Sequence, residues 1–107
     1  MNDKTLQRIR DVIVREYSPD RIILFGSRAW GRPHQWSDYD MLVLKKGVKS
    51  SIYRRAAHIT KLLRDRNFWQ PMDVFVYNQK ELNSIVAAGS QLFRDILQKG
   101  KIMYDKP

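Results

Sequence analysis

The sequence has no cysteine in its 107 residues. Disulfide scaffolds and thiolate metal sites are therefore excluded, and nothing points to an oxidising compartment. No apolar run approaches the ~20 residues needed to cross a bilayer. Met1-Asn2-Asp3-Lys4 has no apolar run behind it, so neither a signal peptide nor a membrane role is expected, and the expected location is cytoplasmic. Repeats, linkers and low-complexity segments are also lacking. Histidines are few, and His34 has no second His or Cys at ligand spacing, while His58 falls on the polar side of its helix. Acids are outnumbered, 11 against 20 basic residues, for a net charge of +9.

With 43% apolar and 29% charged residues, the chain reads as one folded domain over 1–107. Such a length supports one core, burying roughly 60–70% of the unfolded surface. Most of the excess charge lies in one place. Eight basic residues and one acid, Asp65, fall between Lys45 and Arg66, a local balance of +7, against +2 for the other 85 residues. That segment is either a face that attracts nucleic acid or an acidic partner, or the solvated side of a helix.

Leu6, Ile9, Ile13 and Tyr17 recur at helical spacing, and Ser18-Pro19-Asp20 stops that helix. Residues 21–25 form a short apolar run closed by Gly26, which reads as a buried strand. A second strand is expected from Tyr39 to Lys45. A helix follows from Ser50 or Ser51 to about Arg66, with Ile52, Ala56, Ile59 and Leu63 on its inner stripe and Arg54, Lys61 and Asp65 facing outward. The third strand is Met72 to Tyr77. Asn78 and Glu81 make a capping pair for the next helix, and a last helix from Gln91 to Lys99 leads into a short strand at 101–104. The order predicts an α+β fold, a mixed sheet with helices packed mainly on one face.

Acids interrupt this apolar pattern at three points. Asp38 and Asp40 are two apart at the mouth of a strand, so they project to the same face, the one Leu42 and Leu44 follow. Asp73 stands in the otherwise apolar Met72-Asp73-Val74-Phe75-Val76-Tyr77. Acids in such positions cost stability unless something positive compensates, and hard oxygen donors suit Mg²⁺ or Mn²⁺. Gly26-Ser27 supplies a sharp turn after a strand, with a hydroxyl and backbone N–H groups for phosphate oxygens, and Arg28 or Arg32 adds charge nearby. Trp30 and Trp36 are candidates for packing or for stacking on a base, whereas Trp69 is expected to pack. Ser27 is not expected to act as a covalent nucleophile, because no histidine is placed to activate it. Each element alone is weak, since Gly-Ser after a strand is usually only a turn. Their order is specific.

Gly26-Ser27-(x3)-Gly31-(x5)-Ser37-Asp38-Tyr39-Asp40-Met41-Leu42-Val43 resembles the signature of the DNA polymerase β-like nucleotidyltransferases, and in particular their minimal members, the antitoxin-type partners of HEPN proteins. The resemblance implies Asp38, Asp40 and Asp73 as ligands of two Mg²⁺ ions, with Mn²⁺ an alternative, and Asp73 as a base for the acceptor hydroxyl. It implies nucleotide binding along Gly26, Ser27, Arg28, Gly31 and Ser37. The bulky Trp30 and the loop Arg32-Pro33-His34-Gln35-Trp36 depart from the usual pattern. The implied activity is transfer of a nucleoside monophosphate from an NTP, ATP first, to a hydroxyl, such as a tyrosine of a HEPN-type toxin. The acceptor would come from that helical partner or from another subunit, a homo-oligomer included. Two other readings stand beside it: a non-catalytic antitoxin or adaptor of the same fold, and a basic RNA-binding protein working through residues 45–66.

Overall fold

The computed structural model describes residues 3–31 and 38–107. Five helices and four strands follow in the order α1 (Lys4–Tyr17), β1 (Arg21–Phe25), α2 (Ser27–Trp30), β2 (Tyr39–Leu44), α3 (Ile52–Arg64), β3 (Met72–Tyr77), α4 (Gln79–Ala87), α5 (Gln91–Lys99) and β4 (Lys101–Asp105). The sheet order is β3-β2-β1-β4. β1 is antiparallel to both β2 and β4, and β2 is parallel to β3, with α3 as the crossover that a parallel pair requires. The mixed sheet expected from the element order is present.

The helices begin where side chains satisfy their first N–H groups. Asp3 accepts from the Leu6 amide at 3.1 Å, Ser51 from Arg54 at 3.2 Å, and Asn78 and Glu81 form a reciprocal capping box. α1 ends at Ser18, in the left-handed region at φ 53°, with Pro19 barring continuation.

Two apolar layers enclose the sheet. On one face, Leu6, Ile9 and Ile13 of α1 and Ile59 and Leu63 of α3 meet Ile22, Leu24, Met41, Val43, Val74 and Val76. On the other, Leu82 of α4 and Phe93 and Ile96 of α5 meet Ile23, Phe25, Leu42 and Leu44. The long helices thus share one face as expected, but the short C-terminal pair covers the other. Each fully buried Ile or Leu contributes about 1.5–3 kcal/mol, so β2, buried along nearly its whole length, is the least replaceable strand.

The inner stripe of α3 departs from expectation at two points. Ile52 stays 40% exposed, and Arg55 is buried at 5%. The Arg55 guanidinium donates to the carbonyls of Ser50 (2.7 Å) and Val76 (3.1 Å) and forks onto Glu81 at 2.8 and 3.1 Å. It joins α3, the end of β3 and the start of α4. Its place on the Ile52–Ile59 side of the helix wheel was the available signal. Much of the remaining basic segment is also spent on contacts within the chain. Lys45 donates to the carbonyls of Tyr17 and Ser18, Arg64 to those of Phe68 and Gln70, Arg66 to Glu16, and Lys61 to Asp65. Arg64 therefore braces the loop before β3, and Lys46, Lys49, Arg54 and Lys61 make up the exposed part.

Candidate functional site

β2 alternates its side chains, so Tyr39, Met41 and Val43 enter the α1–α3 layer while Asp40, Leu42 and Leu44 point to the α4–α5 side. The register sets Asp40 opposite Phe25 of β1 and opposite Asp73 of β3. Two carboxylates consequently stand side by side on one face, about 4.8 Å apart in backbone spacing, at the end of the sheet where β1 runs into Gly26. Asp38 immediately precedes β2 and is exposed, as is Asp73. Asp40 is half-buried. Burial pushes its carboxyl above the ordinary value of 3.8, and the charges of Asp73 and then Asp38 push it in the same direction.

The turn beside Asp40 is fitted to it. Gly26 has φ 73° and ψ −158°, a region open to glycine alone. A Cβ placed there would run into the Asp40 carboxylate. Strand β1 can therefore break into α2 directly over the acid only because residue 26 lacks a side chain. Gly31 closes the far end of the same turn, where a Cβ would press on the Ser27 backbone at 2.9 Å, and its N–H bonds to the Ser27 carbonyl at 3.0 Å.

Aromatic rings floor this face. Phe25 and Phe75 stack with centroids 6.0 Å apart, Phe75 meets Phe93 at 5.4 Å, and Trp30 tilts over Phe25 at 6.4 Å while remaining 42% exposed. They lower the local polarity around Asp40. Trp69, expected to pack, is 67% exposed; its indole N–H bonds to Asn67 at 2.8 Å and the Arg64 guanidinium lies over its ring at 5.3 Å.

Arg28 is placed differently from the phosphate-facing position expected of it. Its guanidinium sits 3.9 Å over the Tyr39 ring and 3.7 Å from the Asp3 carboxylate, on the α1 side of the sheet. Burial raises the Tyr39 phenol, and Asp3 adds to that rise, against opposing effects of Arg28 and a hydrogen bond from Thr5. Nothing local in the sequence links Asp3 and Tyr39 to Arg28, because only folding brings residues 3, 28 and 39 together. Ser37, with Arg32, His34 and Trp36, lies outside the described residues. His58 is exposed and meets the Tyr17 ring edge-on at 5.1 Å.

Among the described residues, no three His, Cys, Asp or Glu side chains stand together as a ready cation-holding group. The donor set nonetheless fits a hard divalent ion. Asp40 and Asp73 offer carboxylate oxygens on one face, and Asp38 is near enough for its charge to reach Asp40. A cavity of about 440 Å³ opens elsewhere, lined by Asp20, Arg21, Leu44, Lys46 and Asp105 at the opposite end of the strands. Its ion pairs, Arg21–Asp105 at 3.3 Å and Lys106–Asp20 at 4.0 Å, are exposed and self-compensating. The carboxylate row, where Asp73 and Asp38 crowd Asp40 against an apolar floor, is the better seat for chemistry. No helix among the described residues is long and apolar enough to cross a membrane.

Comparison with known proteins places the chain in a family. No curated protein sequence matches the chain. Among solved structures, a Sulfolobus solfataricus protein classed as a nucleotidyltransferase superposes with a TM-score of 0.63 at 18% identity, covering 94% of this chain and 78% of that one. A toxin–antitoxin complex solved with AMP-PNP gives 0.57 at 24% identity over 94% and 73% of the two chains. The MntA–HepT toxin–antitoxin complex gives 0.52 at 20% identity over 97% and 74%. At these identities the likeness is one of fold. The sequence itself matches Polymerase beta, Nucleotidyltransferase over residues 7–107, a span that includes Gly26, Asp38, Asp40 and Asp73. The chain belongs to the polymerase β nucleotidyltransferase family.

Proposed function

We propose that this domain transfers a nucleoside monophosphate from an NTP, ATP by preference, to a hydroxyl on a partner protein, a HEPN-type toxin being the expected acceptor. The observation that carries the reading is the in-register pair Asp40 and Asp73 beside a glycine turn shaped around Asp40. Resemblance in fold to toxin–antitoxin chains, one solved with AMP-PNP, supports the partner and the nucleotide.

Asp38, Asp40 and Asp73 would hold two Mg²⁺ ions, which when bound neutralise phosphate charge and lower the pKa of an attacking hydroxyl. The chain's own residues do the rest. The Gly26-Ser27 turn brings backbone against the triphosphate, with Gly31 keeping the turn tight. Asp73, the more exposed of the strand pair, takes the proton of the acceptor hydroxyl. The hydroxyl oxygen bonds to the α-phosphorus, the bond from that phosphorus to the β-bridging oxygen breaks, and pyrophosphate leaves with the electron pair. Trp30, partly exposed over the buried Phe25, offers apolar surface near the carboxylates on which a base can stack.

The test is incubation of the chain with α-labelled ATP and Mg²⁺, with and without the product of the neighbouring gene. Label on that product, lost in Asp40→Asn and Asp73→Asn, supports the reading. Stoichiometric complex formation with no label under any NTP would replace it with a non-catalytic antitoxin, the alternative that the toxin–antitoxin folds also favour.

A further inference from the structure

Two halves of the site, the turn at Gly26–Gly31 and the acids that flank Tyr39, are adjacent on one face of the sheet but are joined through the other. Tyr39 lies between Asp38 and Asp40 in sequence, so its ring points away from them into the α1–α3 layer, where it is 5% exposed. Its N–H bonds to the Pro71 carbonyl at 3.0 Å, two residues before Asp73. Arg28 belongs to α2, one residue beyond Ser27. Its side chain, 12% exposed, covers the Tyr39 ring at 3.9 Å and reaches Asp3 at 3.7 Å. Asp3 in turn caps α1 through the Leu6 amide.

We propose that Asp3, Arg28 and Tyr39 form a clamp that sets the turn against the carboxylate strand, and that Arg28 is a positioning residue for nucleotide and not a phosphate contact. The inference rests on the nucleotide-binding reading above, though the clamp itself is read from contacts alone. The physical argument is one of stiffness. α2 has only four residues, held by N–H bonds from Ala29 and Trp30 to the Gly26 carbonyl and from Gly31 to Ser27. A helix that short has little cooperativity of its own and takes its orientation from what its side chains grip. Arg28 grips the residue that joins Asp38 to Asp40 in the chain. A desolvated cation over an aromatic face is a strong enough contact to set that orientation, and the Asp3 carboxylate, 3.7 Å from the guanidinium, holds it as well.

The experiment uses the full chain with Mn²⁺ and a non-hydrolysable ATP analogue, measured by calorimetry, alongside amide hydrogen exchange at Ala29, Trp30 and Gly31 without ligand. Arg28→Gln and Tyr39→Leu should each weaken analogue binding about tenfold, the size of one partly buried cation–π contact. The double variant should be no worse than the weaker single one. Tyr39→Phe, which keeps the ring, should bind as the parent does. Exchange in α2 should quicken in both single variants. Because Tyr39 is buried, Asp3→Asn gives a second route: asparagine still caps α1 but lacks the charge, and it should quicken exchange in α2 without unfolding the chain. Losses that multiply in the double variant would mean that Arg28 meets the nucleotide independently of the ring, and would overturn the clamp. Unchanged exchange in Arg28→Gln and Asp3→Asn would overturn it as well. If the unmodified chain binds no analogue, the nucleotide reading falls, while exchange still decides the clamp.

Discussion

Gly26→Ala is the perturbation that bears most directly on the geometry, and Gly47 supplies its control. Both glycines have nearly the same positive φ, 73° and 72°. A Cβ at Gly47 would meet nothing within 4 Å, whereas one at Gly26 would strike the Asp40 carboxylate. Gly47→Ala thus reports left-handed strain alone, about 1 kcal/mol. Gly26→Ala adds a glycine-only ψ of −158°, worth about 1–3 kcal/mol in total backbone strain, and forces the carboxylate aside. The expected destabilisation is about 3 kcal/mol at Gly26 against about 1 at Gly47. In a domain this small the difference of about 2 kcal/mol corresponds to roughly 8–16 °C in Tm. Urea denaturation of the two variants measures it. Adding Asp40→Gly to Gly26→Ala should return the steric part and leave the backbone part. Mn²⁺ binding should fall in Gly26→Ala and persist in Gly47→Ala. Equal costs at the two glycines, or no rescue by Asp40→Gly, would refute the idea that the turn is shaped around Asp40.

Three further expectations concern charge. Asp40 carries a raised carboxyl pKa from burial and from Asp73 and Asp38, so the folded state holds its proton to higher pH than the unfolded chain and stability falls as pH rises from the ordinary carboxylate range through the raised value; Asp40→Asn should therefore raise the metal-free Tm at pH 7, corresponding to about 0.5–2 kcal/mol, and thermal scans in EDTA decide. Glu81 behaves oppositely: hydrogen bonds from Arg55 and then from the Asn78 amide lower its carboxyl, so its contribution is full above the ordinary glutamate value and is lost as pH falls through the lowered one. Glu81→Ala, which strands the buried Arg55, should cost about 3 kcal/mol, whereas Lys61→Ala, which breaks an exposed pair, should cost less than about 0.5 kcal/mol in the same denaturation assay. Charge reversal at Lys46, Lys49 and Arg54 should spare the fold and, if the exposed part of residues 45–66 meets a polyanion, reduce both affinity for a single-stranded RNA and its salt dependence; an unchanged salt slope would mark these residues as merely solvated.

The sequence by itself determined the elements and the place where chemistry belongs. Period-two and period-3.6 patterns are local, and they specify β1, β2, β3 and the helices because burial rewards them residue by residue. Acids at 38, 40 and 73 were legible because nothing in a strand's own packing calls for them. The capping pair Asn78 and Glu81 was equally legible, being a contact three residues long. What the sequence left open depended on distance along the chain. Whether Asp73 stands beside Asp40 is decided by the parallel register of β3 on β2, and a slip of one residue would have turned it to the other face. Both faces of the sheet are covered because α4 and α5 fold back over Ile23, Phe25, Leu42 and Leu44, a long-range choice that element order does not contain. Arg28, Arg55 and Arg64 look alike as charges in a basic chain. Only the tertiary structure sets the first on a tyrosine ring, the second, itself buried, on a glutamate and two carbonyls, and the third under a loop, because a guanidinium finds its acceptors wherever the fold leaves them unsatisfied.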